Sequence, residues 1–258
     1  MQAVLIRHGR TPGNDERRYI GRTDESLSAR GKAEAEKAVR DFEQKKVYVS
    51  PLKRARETAA ILFPNAEQII LPGLRETDFG SFEGKTADEM ADDADYRAWV
   101  DGMCLGTCPG GESRADVTRR AVEAFECAVR EEATCEKAAI EEAAREEAAL
   151  EGAAREEAVR ESTVREEAAR EETAREEAVC AGADCAENSR ASLGNAAEEV
   201  SVVFVTHGGV IMSILEALAV PHRDYYDYYT PNLGGWMVTC TEKDGRIILH
   251  EPKKILLQ

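Results

Sequence analysis

Ala3-Val4-Leu5-Ile6-Arg7-His8-Gly9 decides how this chain is read. Four consecutive apolar residues are too few for a helix and lack the alternation of a half-exposed strand. They read as a short strand buried on both faces, as in a parallel sheet. Arg7 and His8 stand where that strand ends, and in open α/β sheets ligands bind outside the carboxyl ends of strands. The same pattern recurs further along. Val47-Tyr48-Val49 stops at Ser50-Pro51 and leads into a predicted helix over 53–62 with Arg54 at its opening. A strand over 68–71 is stopped by Pro72-Gly73 and runs into a glycine-rich loop, Leu74 to Gly84, that carries Glu76, Asp78 and Glu83. Val200 to Val205 is strongly β-branched, and Thr206-His207-Gly208-Gly209 separates it from an apolar helix predicted over 210–220. Residues 30–42 read as helical, and 235–249 as a hairpin turning at Lys243-Asp244-Gly245. Strands alternating with helices predict an α/β domain with a mostly parallel sheet.

One segment breaks the pattern. From Arg130 to Val179 the chain divides into five-residue units such as Arg-Glu-Glu-Ala-Ala, with 8 basic against 17 acidic residues. Five residues at about 100° each leave a net turn of roughly 140° per unit, so the alanines wander around the helix and no coiled-coil seam forms. The spacing does align Glu156 with Arg160, Glu161 with Arg165, Glu166 with Arg170 and Glu171 with Arg175, the favourable i,i+4 orientation. Ala, Glu and Arg are strong helix formers. The expectation is a long, solvent-exposed helix, roughly 75 Å over the pentads at ~1.5 Å per residue, with Gly152 as its weakest point; a hairpin folding back there and disorder are the alternatives. The predicted organisation is one domain, 1–129 plus 199–258, interrupted by a charged helical insert at 130–198.

Composition narrows the function classes. The chain has 258 residues, 34 Lys+Arg against 50 Asp+Glu and a net charge of −16. A surface of that sign repels phosphodiester backbones and anionic lipid, so neither a nucleic-acid nor a membrane partner is expected. No apolar run is long enough to span a bilayer, and the amino terminus lacks the pattern of a secretion signal. The seven cysteines include no Cys-x-x-Cys pair. The spacings of Cys104 with Cys108 and of Cys180 with Cys185 fit structural zinc poorly. The expectation is a cytoplasmic protein with reduced thiols, no metal and no cofactor. Nothing in the sequence sets the oligomeric state.

Two histidines, two arginines and an acid thus arrive at one sheet edge. With Arg7-His8-Gly9-Arg10-Thr11 and Asn14, Ser50 to Ala55, Leu74 to Gly84 and Thr206 to Gly209, the chain resembles the histidine phosphatase superfamily, of phosphoglycerate mutase-like fold. Gly21 to Leu27, the short loop from Glu76 to Gly84 and Pro109-Gly110-Gly111-Glu112-Ser113 are similar to its α-ribazole phosphatase branch. The pentads have no counterpart in that family. The resemblance implies a three-layer α/β/α domain and a phosphomonoesterase acting on a small phosphorylated metabolite. A phosphate monoester is a dianion whose displacement is mostly a matter of positioning and charge stabilisation. Arg7 and Arg54 suit that task as guanidinium forks. His8 is the candidate nucleophile, and His207 a donor to phosphoryl oxygens. Glu76 is the candidate proton donor to the leaving alcohol, with Asp78 and Glu83 as nearby alternatives. Asn14 and the backbone of Gly208 are further phosphate ligands by resemblance. Tyr225, Tyr226, Tyr228 and Tyr229 read as core and rim packing rather than a stacking platform. Two alternatives remain: a phosphoglycerate mutase with the same residues, and a pseudoenzyme or adaptor acting through its long helix.

Overall fold

The structure is a computed structural model that describes residues 1–38, 44–173 and 200–257; the side chains of 151–173 and of Val200 and Ser201 lie outside that description. The chain divides into two compact units, Met1–Ala133 with Glu198–Gln258, and Thr134–Ala197.

In the first unit, seven strands form one sheet. They are β1 (Gln2–Arg7), β2 (Lys46–Val49), β3 (Glu67–Ile70), β4 (Val200–Thr206), β5 (Ala219–Val220), β6 (Gly234–Lys243) and β7 (Arg246–Leu256), in the order β3-β2-β4-β1-β6-β7-β5. Pairing is parallel from β3 through β2 and β4 to β1, antiparallel for β1 with β6 and β6 with β7, and parallel again for β7 with β5. The helices are α1 (Pro12–Asp15), α2 (Ala29–Lys37), α3 (Lys53–Leu62), α4 (Ala94–Asp101), α5 (Arg114–Thr173) and α6 (Gly208–Leu218).

Two-residue alternation along the central strands creates the layers. Ala3 and Leu5 of β1, with Val202 and Phe204 of β4, face a core completed by Val117, Ala121 and Phe125 of α5 and Val210, Ile211 and Ile214 of α6. Val4, Ile6, Val203 and Val205 face the opposite way, onto Ala55, Ala59 and Leu62 of α3. Burial on both faces is why the defining stretch shows no polar alternation. A smaller cluster of Phe82, Met90, Tyr96 and Cys108 lies under the loops, with Tyr19, Phe79 and Trp99 packed on it.

Three local expectations are adjusted. The helix predicted over 30–42 ends at Lys37, because Ala38 turns extended and packs against the α3-side core; residues 39–43 lie outside the described residues. The helix predicted to reach Val220 stops at Leu218. Val220 precedes Pro221, whose ring disfavours helical geometry in the residue before it, and Ala219–Val220 pair instead with Leu249 and His250. The hairpin turns at Asp244 and Gly245, both at positive φ, and its second strand continues to Leu256.

The charged helix starts sixteen residues before the first pentad. α5 is continuous from Arg114 to Thr173, Gly152 included, so the backbone does not fold back there. Its first turns bury Val117, Ala121, Phe125, Ala128 and Val129, whereas Thr134 to Leu150 are exposed throughout. Arg145 pairs with Glu141 at 3.8 Å in i,i+4 spacing. The four pairs expected between Glu156 and Arg175, the end of the pentads, and Cys180 and Cys185 fall on side chains or residues outside those described. Among the described residues no helix is long and apolar enough to cross a membrane.

Candidate active site

The carboxyl ends of β1, β2 and β4 meet at one edge. His8 N donates to Thr206 O at 2.9 Å and Ser50 N to Val205 O at 3.0 Å, so each segment leaves its strand tied to the next. Arg7, His8, Ser50 and His207 therefore emerge side by side. The rings of His8 and His207 lie 5.0 Å apart, inclined at 63°. His207 is also the residue before α6, so the first backbone amides of that helix, from Gly208 onward, open at the site. A Cβ on Gly208 would sit 3.4 Å from the Arg7 guanidinium, which places this backbone against that side chain.

The tautomer of His8 follows from one contact. Its Nδ1 lies 2.6 Å from Gly9 O; a carbonyl only accepts, so Nδ1 carries the proton and Nε2 keeps its lone pair. Burial, joined by the Arg54 and Arg7 guanidiniums, holds the His8 imidazole well below its ordinary range, so the ring is neutral near pH 7. Burial, Arg54 and His8 act in the same direction on His207. His207 Nε2 shares a hydrogen bond of 2.7 Å with Ser50 Oγ. Its Nδ1 and the Nε of Arg7 are buried with no hydrogen-bond partner among the described residues.

Both arginines are held by backbone carbonyls rather than carboxylates. Arg7 Nη1 donates to Thr230 O at 2.7 Å. Arg54, in the first turn of α3, donates to Thr23 O and Gly21 O, each at 2.8 Å. Burial lowers the pKa of each, and the nearby Glu76 carboxylate opposes it. Glu83 holds the loop that receives Arg54, its Oε1 accepting from Gly21 N and Thr23 N at 2.9 Å.

Of the three acids in the Leu74–Gly84 loop, Glu76 alone faces both arginines. Asp78 accepts from Gly80 N and lies 3.6 Å from Arg22, and Glu83 is engaged as above. Glu76 Oε1 accepts from Thr77 N at 2.9 Å, and a Cβ on Gly209 would come within 2.8 Å of it. The loop is fixed from behind. Thr206 Oγ1 donates to Leu74 O at 2.8 Å, and Arg120 of α5 donates to the carbonyls of Gly73, Arg75 and Glu76. Arg120 also grips Glu112 with Nε and Nη2, at 2.9 and 2.8 Å. The Pro109–Ser113 segment interlocks with this loop: Ser81 N donates to Pro109 O, and Glu112 N to Asp78 O. Gly80, at φ +53°, has no room for a Cβ against Pro109 O, which is why glycine stands there.

Asn14 reaches the site through a partner the sequence did not single out. Its Oδ1 accepts from Thr11 N at 3.3 Å and from Asn232 Nδ2 at 3.0 Å, which fixes the amide orientation and leaves Asn14 Nδ2 as the remaining donor. Asn232 Nδ2 also donates to His8 O at 3.0 Å. Arg7, His8, Asn14, Arg54, Glu76, His207 and Gly208 are thus gathered in one place. Thr58, which binds Gly9 N at 2.9 Å, Asn232 and Arg120 complete it without any strand-end signal of their own. In the tyrosine run, Tyr228 is buried against Trp236 and Tyr229 is exposed. Tyr225 and Tyr226 line a cavity beside Glu76.

A mostly parallel sheet between two helical layers, with paired histidines and two arginines at its carboxyl edge, defines an α/β protein of phosphoglycerate mutase-like fold. The sequence model of the histidine phosphatase superfamily (branch 1) matches residues 3–140, and the chain belongs to that superfamily. Over 136 residues it is 33% identical to the "Probable phosphoglycerate mutase GpmB" of Erwinia tasmaniensis, a match covering 50% of this chain and 63% of that protein. The alpha-ribazole phosphatase of Shigella flexneri shares the fold at 16% identity and TM-score 0.59, covering 100% of this chain and 96% of the other. A mycobacterial hydrolase does so at 20% identity and TM-score 0.62, covering 100% and 98%.

Proposed function

We propose that this protein hydrolyses small phosphomonoesters through a phosphohistidine formed on His8 Nε2. The carrying observation is the His8 Nδ1 contact to Gly9 O, which leaves a neutral, buried imidazole with its lone pair at Nε2 and both guanidiniums acting on the ring. Arg7 and Arg54 bind the phosphoryl oxygens, joined by the unpartnered Arg7 Nε, by Asn14 Nδ2 and by His207 Nδ1, which donates when His207 Nε2 accepts the Ser50 Oγ proton, with the backbone of Gly208 at the mouth of α6. Nε2 attacks phosphorus as the ester P–O bond breaks, and Glu76 gives its proton to the departing alkoxide. Water then attacks the phosphohistidine, Glu76 takes its proton, the P–N bond breaks, and inorganic phosphate leaves. An α-ribazole 5′-phosphate-like ester fits this reading, as does any small phosphomonoester.

The test is turnover of p-nitrophenyl phosphate in EDTA, with an acid-labile, base-stable phosphoenzyme trapped by rapid quench. His8→Ala is expected to abolish both. Glu76→Gln is expected to slow alkyl phosphates by roughly 10²–10⁴-fold and p-nitrophenyl phosphate far less, since its leaving group needs little protonation. Full activity in His8→Ala would overturn the mechanism. Phosphoenzyme that passes its phosphoryl group to a phosphoglycerate faster than to water would establish the mutase named among the relatives.

A further inference from the structure

Beside Glu76 lies a cavity of about 260 Å³, lined by Glu76 and Thr77 and by Gly209 at the start of α6. If Glu76 protonates the leaving alcohol, that alcohol projects to the Glu76 side of the phosphoryl group, toward this cavity. Tyr19, Phe79, Trp99, Tyr225 and Tyr226 form its walls, with Met212 beside them. These rings support one another: Tyr19 meets Phe79 at 5.2 Å and Trp99 at 5.9 Å, and Tyr225 meets Tyr226 at 5.1 Å, all edge to face. Next to the lining residues Cys104 and Gly106 stand two exposed apolar side chains, Met103 and Leu105. Met103 is 59% exposed, Leu105 54% and Tyr226 47%, and the Tyr226 hydroxyl donates to Met103 O at 3.5 Å.

Three charged side chains line the cavity: Glu76, Glu112 and Arg114. Arg114 is its one lining cation among the described residues. Its guanidinium lies over the Tyr225 ring at 4.6 Å and faces Glu216 at 3.6 Å. Glu112 is gripped by Arg120 and Arg75. Burial pushes the Cys108 thiol up to about 11, so it stays neutral. A flat apolar ring on the substrate would find aromatic faces and edges on several sides here.

We infer that the substrates of this site are phosphomonoesters of ring-bearing alcohols, read by the Tyr19–Trp99–Tyr226 cavity. The inference rests on the phosphomonoesterase reading above and adds the identity of the alcohol. Its test compares esters with matched leaving groups, so that alcohol acidity does not enter: ethyl phosphate, 2-phenylethyl phosphate and 3-phosphoglycerate, assayed by phosphate release in EDTA. The expected kcat/KM for 2-phenylethyl phosphate exceeds that for each of the others by about tenfold or more. In Tyr226→Ala, which removes a half-exposed ring, the ratio of 2-phenylethyl to ethyl phosphate is expected to fall several-fold. Release from all three esters at rates within twofold would overturn the inference and leave the phosphatase reading standing. A wild-type preference unmoved by Tyr226→Ala would overturn this cavity as its source. Absence of turnover on these esters and on p-nitrophenyl phosphate would overturn the phosphatase reading itself.

Discussion

At the scale of residues, the site sets charged groups around two buried imidazoles, and this has a pH consequence. His8 and His207 are both held well below the ordinary imidazole pKa by burial and by Arg54. Below about pH 6.5 the unfolded chain takes up protons that the folded chain does not, so folding stability is present above that pH and is lost as pH falls through it. Melting temperature is therefore expected to drop progressively between about pH 6.5 and 5.5, before most carboxylates titrate. His207→Gln should flatten part of that slope, and an unchanged slope would place the proton uptake elsewhere. His8, Arg7, Arg54 and His207 were legible in the sequence because each stands within a few residues of a strand's carboxyl end, where local reading places a ligand. Asn232 and Arg120 were not. Each acts on a residue more than forty positions away, Asn232 on His8 and Asn14, Arg120 on the backbone of Gly73 to Glu76, and nothing in their own neighbourhoods marks them.

At the scale of elements, α5 joins two regimes in one helix. Its early turns are core, and Phe125 packs 4.8 Å from Phe204 of β4. Phe125→Ala is expected to destabilise the protein by about 3–5 kcal/mol in denaturant unfolding. Leu150→Ala, on the exposed stretch, is expected to change stability by less than about 0.5 kcal/mol. A similar loss from both would mean that Leu150 is packed. The sequence announces the charged part of this helix through its repeat and hides the buried part. Over 114–129 the apolar residues are interrupted by Arg119, Arg120, Glu123 and Glu126, and Glu126 serves the backbone N–H of Ile247 at 3.2 Å. The ends of β1 to β4 were read to within a residue or two, whereas β7 runs seven residues past the predicted Leu249 and β5 was read as helix. The shift at Val220 was set by a neighbouring proline and by pairing with a strand thirty residues away, which local propensity does not contain.

At the scale of the whole molecule, the core clusters and every residue assigned to the site belong to the first unit, Met1–Ala133 with Glu198–Gln258. Replacing 134–197 by a short Gly/Ser linker is accordingly expected to leave a folded protein whose kcat/KM for a small phosphomonoester stays within a few-fold of the parent. Circular dichroism should lose helical signal over the removed part of α5. Insolubility or loss of turnover in the trimmed chain would show that the first unit depends on the second. The exposed run of α5 from Thr134 to Leu150 has one more implication. A coiled coil or a packed helix must keep its register, so an added or deleted turn is punished by every contact downstream. Here each five-residue step swings the helix by roughly 140° and brings no apolar seam out of line, because there is none to begin with. Gain or loss of five codons at a time would leave the charge pattern of the remaining units intact. For this segment, length is a heritable variable on which folding exerts little selection.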